Sequence, residues 1–182
     1  MSLREFLESL FPDAPAALER LQPGRHAVVR GRVAPRDLID SPLTGEPCVY
    51  YRYLVEEWRP VSLTMLGGEG QWLVAERDEA AAEFYLDDGS ARVLVSPVEA
   101  DVTHAAGLGP DRLEVGVRRR ASEWRIVPGD EVEIRGLADS VSDPLDEGRG
   151  YREGPARACM RGTPGRRIRI KVLSRPTSNE SE

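Results

Sequence analysis

Side chains that could form a nucleophile and a general base are scarce in this sequence. It contains two cysteines and two histidines, Cys48, Cys159, His26 and His104. A cysteine paired with a histidine can act as a thiolate nucleophile. No predicted helix N-terminus lies beside Cys48 to lower its pKa, so the sequence favours a small buried thiol there. We therefore predict no catalytic residues and a protein that is not an enzyme.

Metal and cofactor sites also lack a suitable pattern. The four Cys and His residues are dispersed, whereas zinc sites need paired ligands a few residues apart. Asp87 and Asp88 precede Gly89 without the alternating oxygen ligands of a calcium loop, and Asp before Gly is typical of a turn. The glycines of residues 67–70 are not followed by the Lys-Ser/Thr of a phosphate-binding loop. We predict neither a metal nor a cofactor.

Charge is distributed unevenly along the chain, which is the strongest unusual feature of the sequence. The net charge is −6 for the whole chain and +8 for residues 149–175, which leaves −14 on the rest. Such a basic segment can bind phosphate backbones or an acidic partner, offset the acidic remainder, or mediate self-association. The candidate interaction surface consists of Arg149, Arg152, Arg157, Arg161, Arg166, Arg167, Arg169 and Lys171.

The elements that position these residues are predicted to be β-strands. Hydrophobic residues make up 40% of the chain and charged residues 31%, which is typical of a globular domain. The 17 Gly and 14 Pro separate short apolar runs, and the longest strand candidate covers residues 48–58. We predict an all-β fold, a small antiparallel β-barrel over residues 23–175. Its predicted inward-facing residues are Val29, Val49, Tyr51, Val93, Val132, Ile134 and Ile170.

The middle of the chain carries the clearest turn signal. Asp88-Gly89 lies between two β-prone runs and predicts a tight hairpin over residues 84–95. A later strand opens at Pro128-Gly129-Asp130, and the last strand covers residues 167–173. Between these two strands we predict a long loop over residues 139–165, rich in Gly, Pro and Arg.

Both ends of the chain are predicted to differ from the barrel. Residues 1–22 form a helical segment, in which an amphipathic helix over residues 2–11 ends at Pro12 and Asp13 caps a second turn from Pro15 to Leu21. This segment docks on the core of its own domain, or binds a partner or a membrane surface. Residues 176–182 form a disordered tail.

Three segments, in their order and spacing, resemble the GIDE (beside-a-membrane, BAM) domain family. They are residues 41–57, 84–95 and 124–136. This family includes prokaryotic proteins and the membrane-anchored mitochondrial and chloroplast ubiquitin ligases. The residues that carry the resemblance are Ser41, Pro42, Thr44, Gly45, Cys48, Tyr51, Arg52, Tyr85, Asp87, Asp88, Gly89, Pro128, Gly129 and Asp130.

The resemblance implies a small β-barrel, related in shape to OB folds, that serves recognition next to membrane segments. Relatives often carry transmembrane helices, and the ligases end in a RING domain, which needs about eight Cys and His ligands. With two of each in the whole chain, ligase activity is not expected here.

These observations predict a non-catalytic recognition or scaffold barrel that binds a protein partner, possibly a membrane protein. The alternative is an OB-like nucleic-acid-binding protein that uses Tyr50, Trp58 and the basic segment. Overall acidity argues against nucleic acid. No stretch approaches the roughly 18 apolar residues of a membrane span. We expect a cytoplasmic protein, peripheral to a membrane if it meets one.

Overall fold

The computed structural model of the chain describes residues 15–60, 70–142 and 156–176. Within them the chain is almost entirely β-structure, with one 3-10 turn at Leu18–Arg20. No helix there could cross a membrane. The strands are β1 Arg25–Pro35, β2 Ile39–Asp40, β3 Pro47–Cys48, β4 Tyr50–Pro60, β5 Gly70–Ala81, β6 Phe84–Asp87, β7 Arg92–Val95, β8 Asp101–His104, β9 Asp111–Gly116, β10 Arg119–Ile126, β11 Glu131–Ser142, β12 Ala156–Arg161 and β13 Arg169–Ser174.

Five strands close a barrel in the order β1, β6, β7, β12 and β11, because β1 pairs with both β6 and β11. This confirms the predicted all-β barrel. Four of its five pairings are antiparallel, but β7 and β12 run parallel, so the prediction of a purely antiparallel barrel is wrong. The parallel pair arises because β12 reaches β7 through its antiparallel partner β11 and not through a hairpin from β7 itself.

One edge of β11 is shared between two strands. β13 pairs with residues 131–135 of β11, and β12 pairs with residues 137–142. Gly136 lies between these two pairings, where a Cβ atom would come within 2.8 Å of the Arg161 carbonyl oxygen. A side chain there would force the two strands apart, so the crowded junction requires glycine. Beyond β13 the sheet ends in β8, which is parallel to β13.

A second sheet extends from the barrel in the order β5, β4, β10 and β9. Val49 lies where the two meet: its side chain is buried in the hydrophobic core, while its backbone bonds to the second sheet. Its N–H donates to the Ile126 carbonyl at 2.9 Å, and its carbonyl accepts from Ala82 N–H at 2.8 Å. At the far end of the β4–β5 hairpin Trp58 pairs with Trp72, with ring centroids 5.6 Å apart. Edge-to-face aromatic pairs stabilise cross-strand contacts of this kind.

The barrel core matches the alternation in the sequence at six of the seven predicted positions. The residues Val29, Val49, Val93, Val132, Ile134 and Ile170 are all buried. The prediction for Tyr51 is wrong. Its side chain is half-buried, and its hydroxyl donates a hydrogen bond to Asp78 at 2.9 Å. The chain turns at Val49 between β3 and β4, so the successive residues Val49 and Tyr50 are both buried and the alternation shifts by one.

Two further predictions need correction. Residues 1–14, with the predicted helix and the Asp13 cap, lie outside the described residues, and from Pro15 onward only the short turn at Leu18–Arg20 is helical. The predicted loop 139–165 overlaps the end of β11 and all of β12. These strands pair with each other and bury Cys159 and Met160, although Arg and Gly residues weaken their periodic pattern. Residues 143–155 lie outside the description, as does the predicted tail from residue 177.

Phe84 should be a much larger contributor to stability than Tyr51. Phe84 is fully buried in the core, so truncation to Ala leaves a cavity, and we expect Phe84→Ala to cost ~3–5 kcal/mol. Tyr51→Ala should cost about 1 kcal/mol, because this side chain is half exposed. Urea unfolding followed by tryptophan fluorescence measures both. Equal losses for the two variants would contradict this account of the core.

Candidate functional site: a basic face on the barrel

Strand β13 presents part of the predicted basic segment to solvent. Its core side is formed by Ile168, Ile170 and Val172, which are buried. Because side chains alternate along a strand, Arg169 and Lys171 point outward, and both are exposed. The apolar residues of this strand face the core, and the basic residues between them therefore form a row on the outer face.

A tight turn before β13 adds two more cations. Thr163 and Arg166 exchange two backbone hydrogen bonds, each 2.9 Å long, and Gly165 has a φ of 87° that favours glycine. The turn brings Arg166 and Arg167 next to β1. Together they border a depression of about 120 Å³, lined by His26, Ala27, Val28, Arg135, Gly136, Arg166, Arg167 and Arg169.

A second depression, of about 360 Å³, adjoins the first across β11 and β13. It is lined by Asp101, Thr103, Glu133, Arg135, Arg169, Ile170 and Lys171. Arg135 and Arg169 line both depressions. We call this surface the basic face, and define it by His26, Arg135, Arg166, Arg167, Arg169 and Lys171.

Like charges face each other at the centre of the basic face. Arg135 on β11 is the direct cross-strand partner of Arg169 on β13, an arrangement that costs stability in an antiparallel pair. Glu133 lies 3.3 Å from the Arg135 guanidinium, and Asp101 is the neighbour of Arg169 on β8. An anion bound between the two guanidinium groups would relieve their repulsion.

Most cations of the basic face have no internal counter-charge. Arg166, Arg167, Arg169 and Lys171 form no ion pair with any residue that the structure describes. A guanidinium group presents planar forks of N–H donors that match a carboxylate or a phosphate. The face can therefore bind anions through several charge-assisted hydrogen bonds.

Of the other predicted cations, Arg161 is engaged elsewhere. Arg161 pairs with Asp139 on the neighbouring strand β11. Arg157 belongs to β12, but its side chain lies outside the description, as do the structures of Arg149 and Arg152.

His26 and Arg135 are the two members of the basic face that sequence reasoning missed. Both occupy polar positions of alternating strands, which is a signal for exposure. Their place beside β13 depends on the register of β1 and β11, where His26 faces Leu137 and Val28 faces Arg135. Alternation within one strand does not reveal register between strands.

The family-motif residues of 41–48 form a loop that covers a buried charged cluster. Glu123 is fully buried; its carboxylate accepts a hydrogen bond from the Ser41 hydroxyl and another, 3.1 Å long, from Leu43 N–H. Thr44 contacts the Ser41 hydroxyl at 2.7 Å, and Gly45 N–H donates to the Ser41 carbonyl at 2.9 Å. This loop, which includes the exposed Pro42, therefore satisfies a carboxylate that burial would otherwise destabilise.

Arg125 completes the same cluster. Its guanidinium contacts Glu46 at 2.7 Å and Asp111 at 2.9 Å, and lies 3.7 Å from Glu123. The side chain is almost completely buried. The cluster connects the 41–48 loop with β9 and β10 and has a structural role, because its charges are satisfied by one another.

The Asp-Asp-Gly motif forms the hairpin turn that the sequence predicts. β6 pairs with β7, and Gly89 has a φ of 85°. One Asp88 oxygen accepts N–H bonds from Ser90 and Ala91 at 2.9 and 3.0 Å, and the other accepts from Leu18 N–H at 2.8 Å. Asp88 thereby ties the hairpin to the helical turn at Leu18–Arg20. Asp87 accepts hydrogen bonds from Gly89 N–H and Arg92.

The Pro-Gly-Asp motif forms the turn before β11. Gly129 has a φ of 90°, and its N–H donates to the Val33 carbonyl at 2.8 Å. Asp130 is fully buried and accepts hydrogen bonds from Val127 N–H at 3.0 Å and from the Arg175 guanidinium at 3.0 and 3.1 Å. Arg175 is therefore a structural cation that holds the end of β13 against this turn.

The remaining family-motif residues lie on two different strands. Arg52 on β4 faces Trp124 of β10 and Glu79 of β5. Tyr85 on β6 lies under the Arg92 guanidinium, 5.9 Å from its carbon to the ring centroid. None of these residues lines the basic face, so the motif positions and the basic face are separate features.

Cys48 is placed as a structural thiol. It is fully buried, its Sγ lies 3.4 Å from the Ile39 carbonyl oxygen as a hydrogen-bond donor, and burial raises its pKa to about 11. His104 makes a different contact, 3.2 Å from the Arg125 carbonyl oxygen, and packs on Trp124. The pKa of the buried Cys159 is also raised by burial. Both thiols are protonated at neutral pH.

Comparison of the chain with known protein families, curated proteins and solved structures gives no match in any of the three. The resemblance to the GIDE family therefore stays a prediction.

Asp88 should make the stability of the domain fall at acid pH. Burial opposes ionisation of Asp88, but hydrogen bonds from Leu18, Ser90 and Ala91 outweigh it and lower the pKa to about 2. A folded-state pKa below the unfolded value means that ionised Asp88 stabilises the fold above about pH 4, and that this contribution is lost as the pH falls towards 2. The difference in free energy of unfolding between wild type and Asp88→Asn should shrink over that range.

Urea unfolding at a series of pH values measures this difference. The matched control is Asp40→Asn, at an exposed position at the end of β2. We expect the free energy of unfolding of Asp40→Asn to differ little from that of the wild type at every pH. A gap between wild type and Asp88→Asn that stays constant from pH 5 to pH 2 would contradict the role of the Asp88 carboxylate.

Proposed function

We propose that this chain is a non-catalytic recognition barrel whose basic face binds an acidic segment of a protein partner. The observation that carries the proposal is the group of exposed cations on β13 and its preceding turn, which form no ion pair with any of residues 15–60, 70–142 and 156–176. Arg135 and Arg169 face each other at its centre. A bound carboxylate would accept hydrogen bonds from both and remove an unfavourable contact.

The local pattern of charge favours a protein segment over nucleic acid. Glu133 and Asp101 line the larger depression beside Arg169 and Lys171, so the surface alternates in sign over a short distance. A peptide can match such a pattern with side chains of both signs, whereas a phosphate backbone has negative charge only. The −14 carried outside the basic segment would also repel a long polyanion.

The barrel itself supports the relation to GIDE and OB-like domains that the motifs imply. It has five strands, the number found in OB folds. Several motif residues form its turns and its buried charged cluster, as expected for residues that preserve a fold. On the same resemblance we propose a cytoplasmic protein that works beside a membrane.

Binding of an acidic peptide tests this proposal. We expect a fluorescein-labelled Glu-rich peptide to bind the wild-type chain, and its affinity to fall as salt rises from about 50 to 200 mM. The variant Arg166→Gln, Arg167→Gln, Arg169→Gln should bind at least about tenfold more weakly, since three exposed charge pairs are lost. Fluorescence anisotropy measures both effects.

The control removes three other exposed arginines, Arg59→Gln, Arg77→Gln and Arg118→Gln, so that the change in net charge is the same. It should keep nearly the affinity of the wild type. Single-stranded and duplex oligonucleotides of matched charge are titrated in parallel. Tighter binding of an oligonucleotide than of the peptide, lost in the first variant, would replace the proposal with the nucleic-acid alternative. No binding of the peptide, or equal losses in both variants, would refute it.

A further inference from the structure

Strand β9 forms an open edge of the second sheet. Within the described residues it pairs with β10 alone, so its other side has free backbone donors and acceptors. Leu113 and Val115 are each 53% exposed, and Val117 in the following turn is 99% exposed. An open edge with exposed apolar side chains is a site where another strand can add.

The opposite edge of the same sheet also exposes apolar side chains, Leu73 and Val74, but its charges and its pairing are less suited to adding a strand. The outer strand β5 carries charged residues over 76–79, and several of them are already engaged: Asp78 with the Tyr51 hydroxyl, and Glu79 with the Tyr50 hydroxyl and Arg77. A register shift against β4 further disrupts this edge. Charges and irregularities of this kind discourage the addition of a strand.

The charges of β9, by contrast, are available. Arg112 and Glu114 are exposed and form no hydrogen bond or ion pair with any described residue. Arg120, the cross-strand neighbour of Glu114, is instead bound by both oxygens of Glu56, at 2.8 and 3.2 Å. The two free charges have opposite sign and flank Leu113.

We propose that β9 pairs with β9 of a second copy of this chain, antiparallel and about a twofold axis at Leu113. In that register Leu113 faces its own copy, and Arg112 of each chain faces Glu114 of the other. Both charge pairs are favourable, and the apolar pair between them is buried. The short sequence Arg112-Leu-Glu114 is thus complementary to itself, as an isologous interface requires.

This dimer would join two four-stranded sheets into one of eight strands. The register shift between β9 and β10 places Val115 as the extra residue, so the regular ladder is centred on residues 112–114. The basic face belongs to β1, β11 and β13 in the other sheet, so self-association does not depend on the proposed function. The dimer would carry two basic faces, one on each chain.

Charge exchange on β9 tests the proposal. We expect sedimentation equilibrium to find the wild-type chain in a concentration-dependent monomer–dimer equilibrium. Arg112→Glu places Glu against Glu in both pairs, and Glu114→Arg places Arg against Arg. Each single variant should therefore raise the dissociation constant at least about tenfold. The double variant Arg112→Glu, Glu114→Arg should dimerise as the wild type does.

A mixture of the two single variants provides the sharpest outcome. In a mixed dimer both charge pairs are favourable again, so the mixture should form a heterodimer more tightly than either variant alone forms a homodimer. Arg77→Glu on β5 is the control and should dimerise normally. Thermal melting establishes that each variant is folded. A wild-type chain that stays monomeric at the highest concentration, or a dimer unaffected by either single variant, would overturn the proposal.

Discussion

Closure of the barrel depends on β11, which pairs with β1 on one edge and with two different strands on the other. One edge pairs with β1, and the other pairs first with β13 and then with β12. Because two strands share that second edge, they must separate at Gly136, where only glycine fits. The register of β13 against β11 follows, and it sets Arg169 opposite Arg135. The basic face is therefore a consequence of how the barrel closes.

Buried ion pairs and hydrogen bonds to buried carboxylates hold two segments in place, the 41–48 loop and the end of β13. Glu123 and Arg125 hold the 41–48 loop, and Asp130 holds the end of β13 through Arg175. Removing one partner of such a buried pair costs several kcal/mol, because the other charge is left uncompensated in a medium of low dielectric. The segments on which the predicted GIDE resemblance rests coincide with these clusters and with tight turns. Their residues preserve the frame on which the exposed cations are carried.

The turn motifs were the most predictable part of the fold, because their information is local. Asp88-Gly89 and Pro128-Gly129-Asp130 specify backbone conformations that few other residues adopt. The strands that flank them were predicted for the same reason. β12 was missed because its sequence, Ala156-Arg-Ala-Cys-Met-Arg161, does not alternate apolar and polar residues, and it is a strand only through its pairing with β11 and β7. Tyr51 was placed on the wrong face because one turn at Val49 reverses the alternation of β4.

The sequence by itself determined the all-β class, the turns, most of the core and the presence of a basic segment, since each of these depends on residues close together in the chain. Only the tertiary structure decided which cations meet. The fold places Arg166, Arg167 and Arg169 beside two residues distant in sequence, His26 and Arg135. It pairs the two other arginines, Arg161 and Arg175, with carboxylates. It also leaves one edge of β9 without a partner strand in the described part of the chain. The physical reason is that register between distant strands depends on the packing of the whole barrel, which no short segment encodes.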